Sequence, residues 1–117
     1  MGAGQGWDYA NAQRWTNLAG TKVQVEELQV AGTNLCVNFS PSDFHFYLDS
    51  CVKSDWNELF WHKVNSSNGN EWFINVDASE IMLQNYYMTA TSAGSYADVV
   101  ADPAGYGDNA VWDSLIP

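Results

Sequence analysis

KVQVEELQVAGTNLCVNFSPSDFHFYLDSC, residues 22 to 51, alternates apolar and polar side chains through three successive stretches. Lys22-Val23-Gln24-Val25-Glu26 and Leu28-Gln29-Val30 carry the period of two expected of a half-buried strand. Ala31-Gly32-Thr33-Asn34 then reads as a turn, and a hairpin into Leu35-Cys36-Val37-Asn38-Phe39 follows from it. After Pro41-Ser42-Asp43, Phe44, Phe46 and Leu48 alternate with His45, Tyr47 and Asp49, which makes one face apolar and points His45 away from the core. Thirty residues with this pattern, and with no apolar spacing of three and four, predict an all-β chain.

Outward from this stretch, Phe60-Trp61-His62-Lys63-Val64 continues as a strand and Ser66-Ser67-Asn68-Gly69-Asn70 as a turn. Trp72 to Val76 reads as a strand, Asp77-Ala78-Ser79 as a turn and Glu80 to Gln84 as another strand. The order recurs: laying Ile81-Met82-Leu83-Gln84 on Leu35-Cys36-Val37-Asn38 brings Ser95 to Asp102 onto Phe44 to Cys51, and Trp112 onto Trp61. Asn11, Asn57 and Asp108 each stand four positions before a Trp, and the Trp15, Trp61 and Trp112 intervals are 46 and 51 residues, within the range of structural repeats. One domain is expected, built from a repeat remnant over 1–16 and repeat units over 17–61 and 62–117. Trp15, Trp61 and Trp112 are read as one core residue per unit.

A chain of 117 residues is long enough to bury one core without a metal. Four Lys plus Arg against fourteen Asp plus Glu give a net charge of -10, which repels phosphate backbones and anionic headgroups and excludes nucleic acid as a natural partner. No apolar run approaches the ~20 residues of a spanning helix, so no membrane insertion is expected. Met1 to Gly6 has no basic or apolar leader region, which does not count against secretion. Cys36 and Cys51, if paired, close a loop worth about 3 kcal/mol and imply an oxidising compartment; two buried thiols in a cytosolic chain are the other reading. The sequons Asn38-Phe39-Ser40 and Asn65-Ser66-Ser67 fit an extracellular glycoprotein.

In order and spacing, Cys36-Val37-Asn38, then Phe46-Tyr47-Leu48-Asp49-Ser50-Cys51, then Trp61 resembles the repeat of the ricin-B-like β-trefoil lectins, and Gln13-Arg14-Trp15 spells that family's Gln-x-Trp. The resemblance covers the first complete unit; the second has Met82 and Asp102 where the cysteines stand. It implies a disulfide within the unit and a β-trefoil-like barrel of repeated four-stranded units, incomplete at two units and a remnant, with a small β-sandwich as the alternative. It also implies sugar binding, in which an acid receives hydroxyls beside a stacking aromatic ring. This chain has Asn38 and Gln84 at the acid's positions, and amides bond hydroxyls without a carboxylate's charge.

The candidate ligand-binding residues are Asn38, Asp49, Trp56 and Asn57, with Trp56 marked out as an aromatic in the polar loop Lys53-Ser54-Asp55-Trp56-Asn57. Glu26-Glu27 reads as a solvated edge, and Asp98, Asp102 and Asp108 as loop carboxylates. His45 and His62 lie in separate strands without metal-ligand spacing, and no nucleophile elbow or phosphate loop is present, so neither metal, cofactor nor catalytic residues are expected. The expectation is a secreted carbohydrate-binding module without catalysis. The alternative is a secreted interaction or assembly subunit (an inhibitor, effector or particle component) that presents aromatic loops to a protein surface or to its own copies.

Overall fold

The structure is a computed structural model, and it describes residues 7–52, 55–64, 67, 71–90 and 99–103. Among these, eight antiparallel strands and one short helix follow in the order β1 (Trp7–Thr16), β2 (Lys22–Val30), β3 (Leu35–Ser40), β4 (His45–Ser50), β5 (Leu59–Val64), β6 (Glu71–Asn75), α1 (Val76–Met82), β7 (Tyr87–Ala90) and β8 (Val99–Asp102). The all-β reading holds. The strands form two meanders, β1 to β4 and β5 to β8, joined where β4 meets β8 and where β2 meets β5. Those two joins close a seven-stranded antiparallel barrel, with β1 as an extra strand outside the ring.

Strand β2 makes the closure. Gln29 pairs with Asp8 and with Cys36, while Glu27 pairs with Ala10 and with Leu59. A strand residue has one partner on each side, so β1 runs along one edge of β2 while β3 and β5 share the other end to end. This position explains the break in the alternation of KVQVEELQV. Val23 and Val25 pack with Trp15, Leu59, Val76 and Trp61 in a small cluster, whereas Leu28 belongs to the main core with Val37, Phe39, Phe46, Phe60, Phe73 and Met88. A strand between two clusters is apolar on both faces, and the phase switches at Glu27-Leu28. Trp15 is buried and Trp61 half-buried in the same cluster, in the first strand of each meander; Trp112 lies outside the described residues.

Contacts between rings tie the meanders through the main core. Phe46 lies 5.5 Å from Phe60, and Phe44 5.8 Å from Tyr86, which precedes β7. The β2–β3 turn is the one read from Ala31 to Asn34; Gly32 has φ 76, where a side chain is strained, and Thr33 N–H donates to the Val30 carbonyl at 3.1 Å.

Three expectations need correction. The Asp77-Ala78-Ser79 turn and the Glu80 to Gln84 strand are the helix α1 and its end. Asn75 caps the helix, its Oδ1 accepting from Ala78 N–H at 2.9 Å, and Leu83 ends it in the left-handed conformation. The helix buries Val76, Ala78 and Ser79 and leaves Ile81, Met82 and Leu83 exposed, so the apolar run taken for a strand faces outward. Second, Trp7 to Thr16, read as part of a remnant, is a ten-residue strand paired along all of β2. Third, Glu27 is no solvated edge: strands on both sides and Leu59 opposite leave it fully buried. The turn at Ser66 to Asn70 and the sequon Asn65 lie, but for Ser67, outside the described residues.

Candidate functional site

The register of the β3–β4 hairpin sets the site. Cys36 faces Asp49, Asn38 faces Tyr47 and Ser40 faces His45 on one side of the hairpin, while Val37, Phe39, Phe46 and Leu48 turn to the core on the other. Residues on the outer side should be wet, yet Cys36 and Asn38 are buried. The cause is the described chain at 51–52 and 55–58, whose single 3-10 turn, Trp56–Glu58, packs against β3. We call this segment the clasp.

Three ties hold the clasp down. Cys36 and Cys51 form a disulfide with Cα atoms 5.0 Å apart, which settles the pairing left open by the sequence. Asn57 Nδ2 donates to Asn38 Oδ1 at 3.0 Å, and Asn38 Nδ2 donates to the Cys36 carbonyl at 3.0 Å. Both oxygens of the Glu58 carboxyl accept from Val52 N–H, at 2.9 and 3.0 Å. Asn75, besides capping α1, donates to the Asn57 carbonyl at 3.2 Å, so an asparagine chain joins β3, the clasp and the second meander.

The four residues singled out in the sequence therefore divide into two pairs. Asn38 and Asn57 meet, and their amides serve the clasp; a glycan on the buried Asn38 has no room in this packing. Asp49 and Trp56 face solvent, Trp56 at 52% exposure and Asp49 with its Oδ1 accepting from Ser50 N–H. Tyr47 and Val52 are exposed as well, as is Asp55 at the head of the turn. The clasp and the adjoining face of β4 thus offer aromatic, aliphatic and carboxylate groups on backbone fixed by a disulfide and side-chain bonds.

Beneath the clasp lies what the sequence reading missed. Glu58 is fully buried, and so is Glu27 on β2. Burial, then a side-chain hydrogen bond with Glu27, pushes the Glu58 carboxyl up from its ordinary 4.5 to about 8, and the Glu27 and Asp55 charges add to the effect while Val52 N–H opposes it. A β-bulge between Ala10 and Gln13, with Asn11 at φ 53, lets the Asn11 amide donate to Glu27 Oε1. Glu27 Oε2 is buried without a hydrogen-bond partner. The only sequence trace of this pair is an acid at position 27, where the Val23, Val25 alternation calls for an apolar residue. The Cys36 and Cys51 sulfurs and a Glu58 oxygen lie within 4.8 Å of one another, but the sulfurs are bonded to each other and are no metal ligands in this state.

A second polar group lies where the rings of Tyr9, His62 and Phe73 cluster, His62 stacking 5.0 Å from Tyr9 and 4.7 Å from Phe73, with Tyr9 6.4 Å from Phe73. His62 Nε2 lies 2.6 Å from Glu71 Oε1, and both side chains retain contact with water. Burial, then Glu71 and Glu26, pushes the Tyr9 phenol up to about 12, so it stays protonated at neutral pH. No protein-family model, curated protein or solved structure matches the chain.

Proposed function

We propose that the chain is a secreted, non-catalytic carbohydrate-binding domain whose ligand stacks on Trp56 and bonds through Asp49 and Asp55. The observation that carries this reading is Trp56 itself: a half-exposed indole on a turn locked by a disulfide and side-chain hydrogen bonds. An indole offers an apolar face for the C–H side of a sugar ring, and fixed carboxylates take its hydroxyls. Because the clasp is already ordered, binding loses little conformational freedom there. Asn38 and Asn57 act as positioning residues in this scheme, holding the turn that carries the indole. The disulfide supports an oxidising, extracellular setting.

A glycan array probed with the chain and with Trp56→Ala tests the reading. The expected result is binding to a defined glycan class, with intrinsic fluorescence changing on addition of that sugar and affinity falling at least ~10-fold in the variant, about the weight of one stacking contact. The exposed Tyr47 and Val52 beside Trp56 favour a protein surface as the second reading. An array without hits, together with a concentration-dependent native mass that Trp56→Ala abolishes, would replace the first reading by the second.

A further inference from the structure

Four side chains with metal-binding atoms come together from four places in the sequence. Cys36 belongs to β3, Cys51 follows β4, Glu58 ends the 3-10 turn and Glu27 lies within β2. The Cys36 and Cys51 sulfurs and a Glu58 oxygen lie within 4.8 Å of one another, and the Glu27 carboxyl meets that of Glu58. Cys36, Glu27 and Glu58 are fully buried and Cys51 partly so. Once the sulfurs are free of each other, two thiolates with carboxylate oxygens suit a borderline-soft ion such as Zn²⁺, whereas calcium and magnesium take oxygen ligands alone. A second observation points to the same ligand. Glu27 Oε2 is buried with no hydrogen-bond partner, while Asn11 holds the other oxygen of that carboxyl. A buried oxygen without a donor is costly, and a bound cation satisfies it. Behind the two carboxyls stand fixed donors, Asn11 for Glu27 and Val52 N–H for Glu58 at 2.9 Å, which is how ligating carboxylates are held in place.

We propose that Cys36, Cys51, Glu58 and Glu27 form a zinc site that becomes available when the disulfide is reduced, with Glu27 Oε2 as the fourth ligand. The chemistry balances. A dithiol reductant gives two electrons and two protons to the disulfide, becomes a disulfide itself, and leaves Cys36 and Cys51 as thiols. Zn²⁺ then takes both sulfurs, and their two protons pass to solvent together with the one that Glu58 holds at neutral pH. The cysteine Cα atoms are 5.0 Å apart, which suits the sulfur separation of about 3.8 Å that tetrahedral Zn–S bonds of about 2.3 Å require. Cys51 is the less buried of the two, so reductant and ion reach the pair from its side. Zinc replaces the covalent tie between β3 and Cys51, so the chain has one tie for oxidising surroundings and another for reducing ones. The site does not rest on the carbohydrate reading; in the extracellular setting of that reading the disulfide keeps it closed.

The test uses the full chain, reduced with a phosphine, freed of it without air, and titrated first with Co²⁺ as a spectroscopic probe and then with Zn²⁺. The expected result is thiolate-to-cobalt charge-transfer absorption, displacement of cobalt by zinc, one zinc per chain in native mass spectra, and a thermal midpoint of the reduced chain that rises with zinc. The oxidised chain should show none of these bands, because its sulfurs are bonded to each other. Glu58→Gln and Glu27→Gln keep the disulfide, so the fold of each is verified in the oxidised form before reduction. Each should then bind zinc at least ~10-fold more weakly than the wild type. A reduced chain without charge-transfer bands, equal zinc uptake with the disulfide intact, zinc affinity unchanged in either glutamate variant, or a reduced chain that zinc does not stabilise would each overturn the site. A failed glycan array, with these metal results intact, overturns only the carbohydrate reading.

Discussion

Two glutamates, Glu71 on β6 and Glu58 under the clasp, each face a titratable neighbour in one small barrel, and they solve the problem of a buried charge in opposite ways. Glu71 lies near water and takes His62 as its partner at 2.6 Å, with the imidazole stacked against Tyr9 and Phe73. Glu58 is closed off from water and its titratable neighbour is another acid. A partly hydrated acid paired with a base adds little to stability in either direction, because solvent screens both gain and loss. A dry acid paired with an acid is satisfied only while protonated, and its removal strands the groups built around it.

The sharpest way to break this comparison is Glu58→Ala, which leaves Val52 N–H without its partner and opens a cavity beside Glu27. A loss of about 4 kcal/mol in urea unfolding is expected. Reducing the disulfide, or Cys51→Ser, frees the clasp from β3 and should lower stability by about 3 kcal/mol, the loop-closure term for a sequence separation of 15. At the other acid, Glu71→Gln should cost about 1 kcal/mol or less by the same measurement. Equal losses at Glu58 and Glu71 would show that burial does not separate them.

The pH dependence sharpens the comparison further. Because the folded-state value for Glu58 lies above the ordinary 4.5, the native chain binds more protons than the unfolded one between 4.5 and about 8. Its contribution to stability is therefore complete below 4.5 and is lost as pH rises through about 8. Urea midpoints should fall across that window in the wild type, and Glu58→Gln should flatten the slope. The smallest effect belongs to Trp56→Ala: with the indole half exposed, a stability change within about 0.5 kcal/mol is expected, set against the affinity loss of at least ~10-fold that the proposed glycan binding requires.

Part of the fold was legible in the sequence because it is local. The alternation in Lys22 to Val30, Leu35 to Phe39 and Phe44 to Leu48 follows from the two-residue strand period, and the Ala31 to Asn34 turn needs only Gly32 at positive φ. Helix α1 was not legible, since seven residues are too few to display a helical period, and its cap, Asn75, and its αL end, Leu83, read equally as strand and loop residues. The long β1 strand was hidden by Asn11 and the bulge, which interrupt its alternation. Of the candidate site, Trp56 could be found as an aromatic in a polar loop, and Asp49 as a polar residue in the outward phase of β4. That Asn38 and Asn57 bond to each other, 19 residues apart, follows only from the clasp folding over β3.

The sequence by itself determined the all-β class, the hairpins, the outward phase of Tyr47 and Asp49, and a charge that repels anionic partners. Each depends on nearest neighbours or on composition, which one chain displays in full. The tertiary structure alone decided that β2 is shared by β1, β3 and β5, that the barrel closes there, and that Glu27 and Glu58 meet. Glu58's proton affinity is set by the residues the fold brings around it and the water it removes; neither is a property of the position of a residue along the chain.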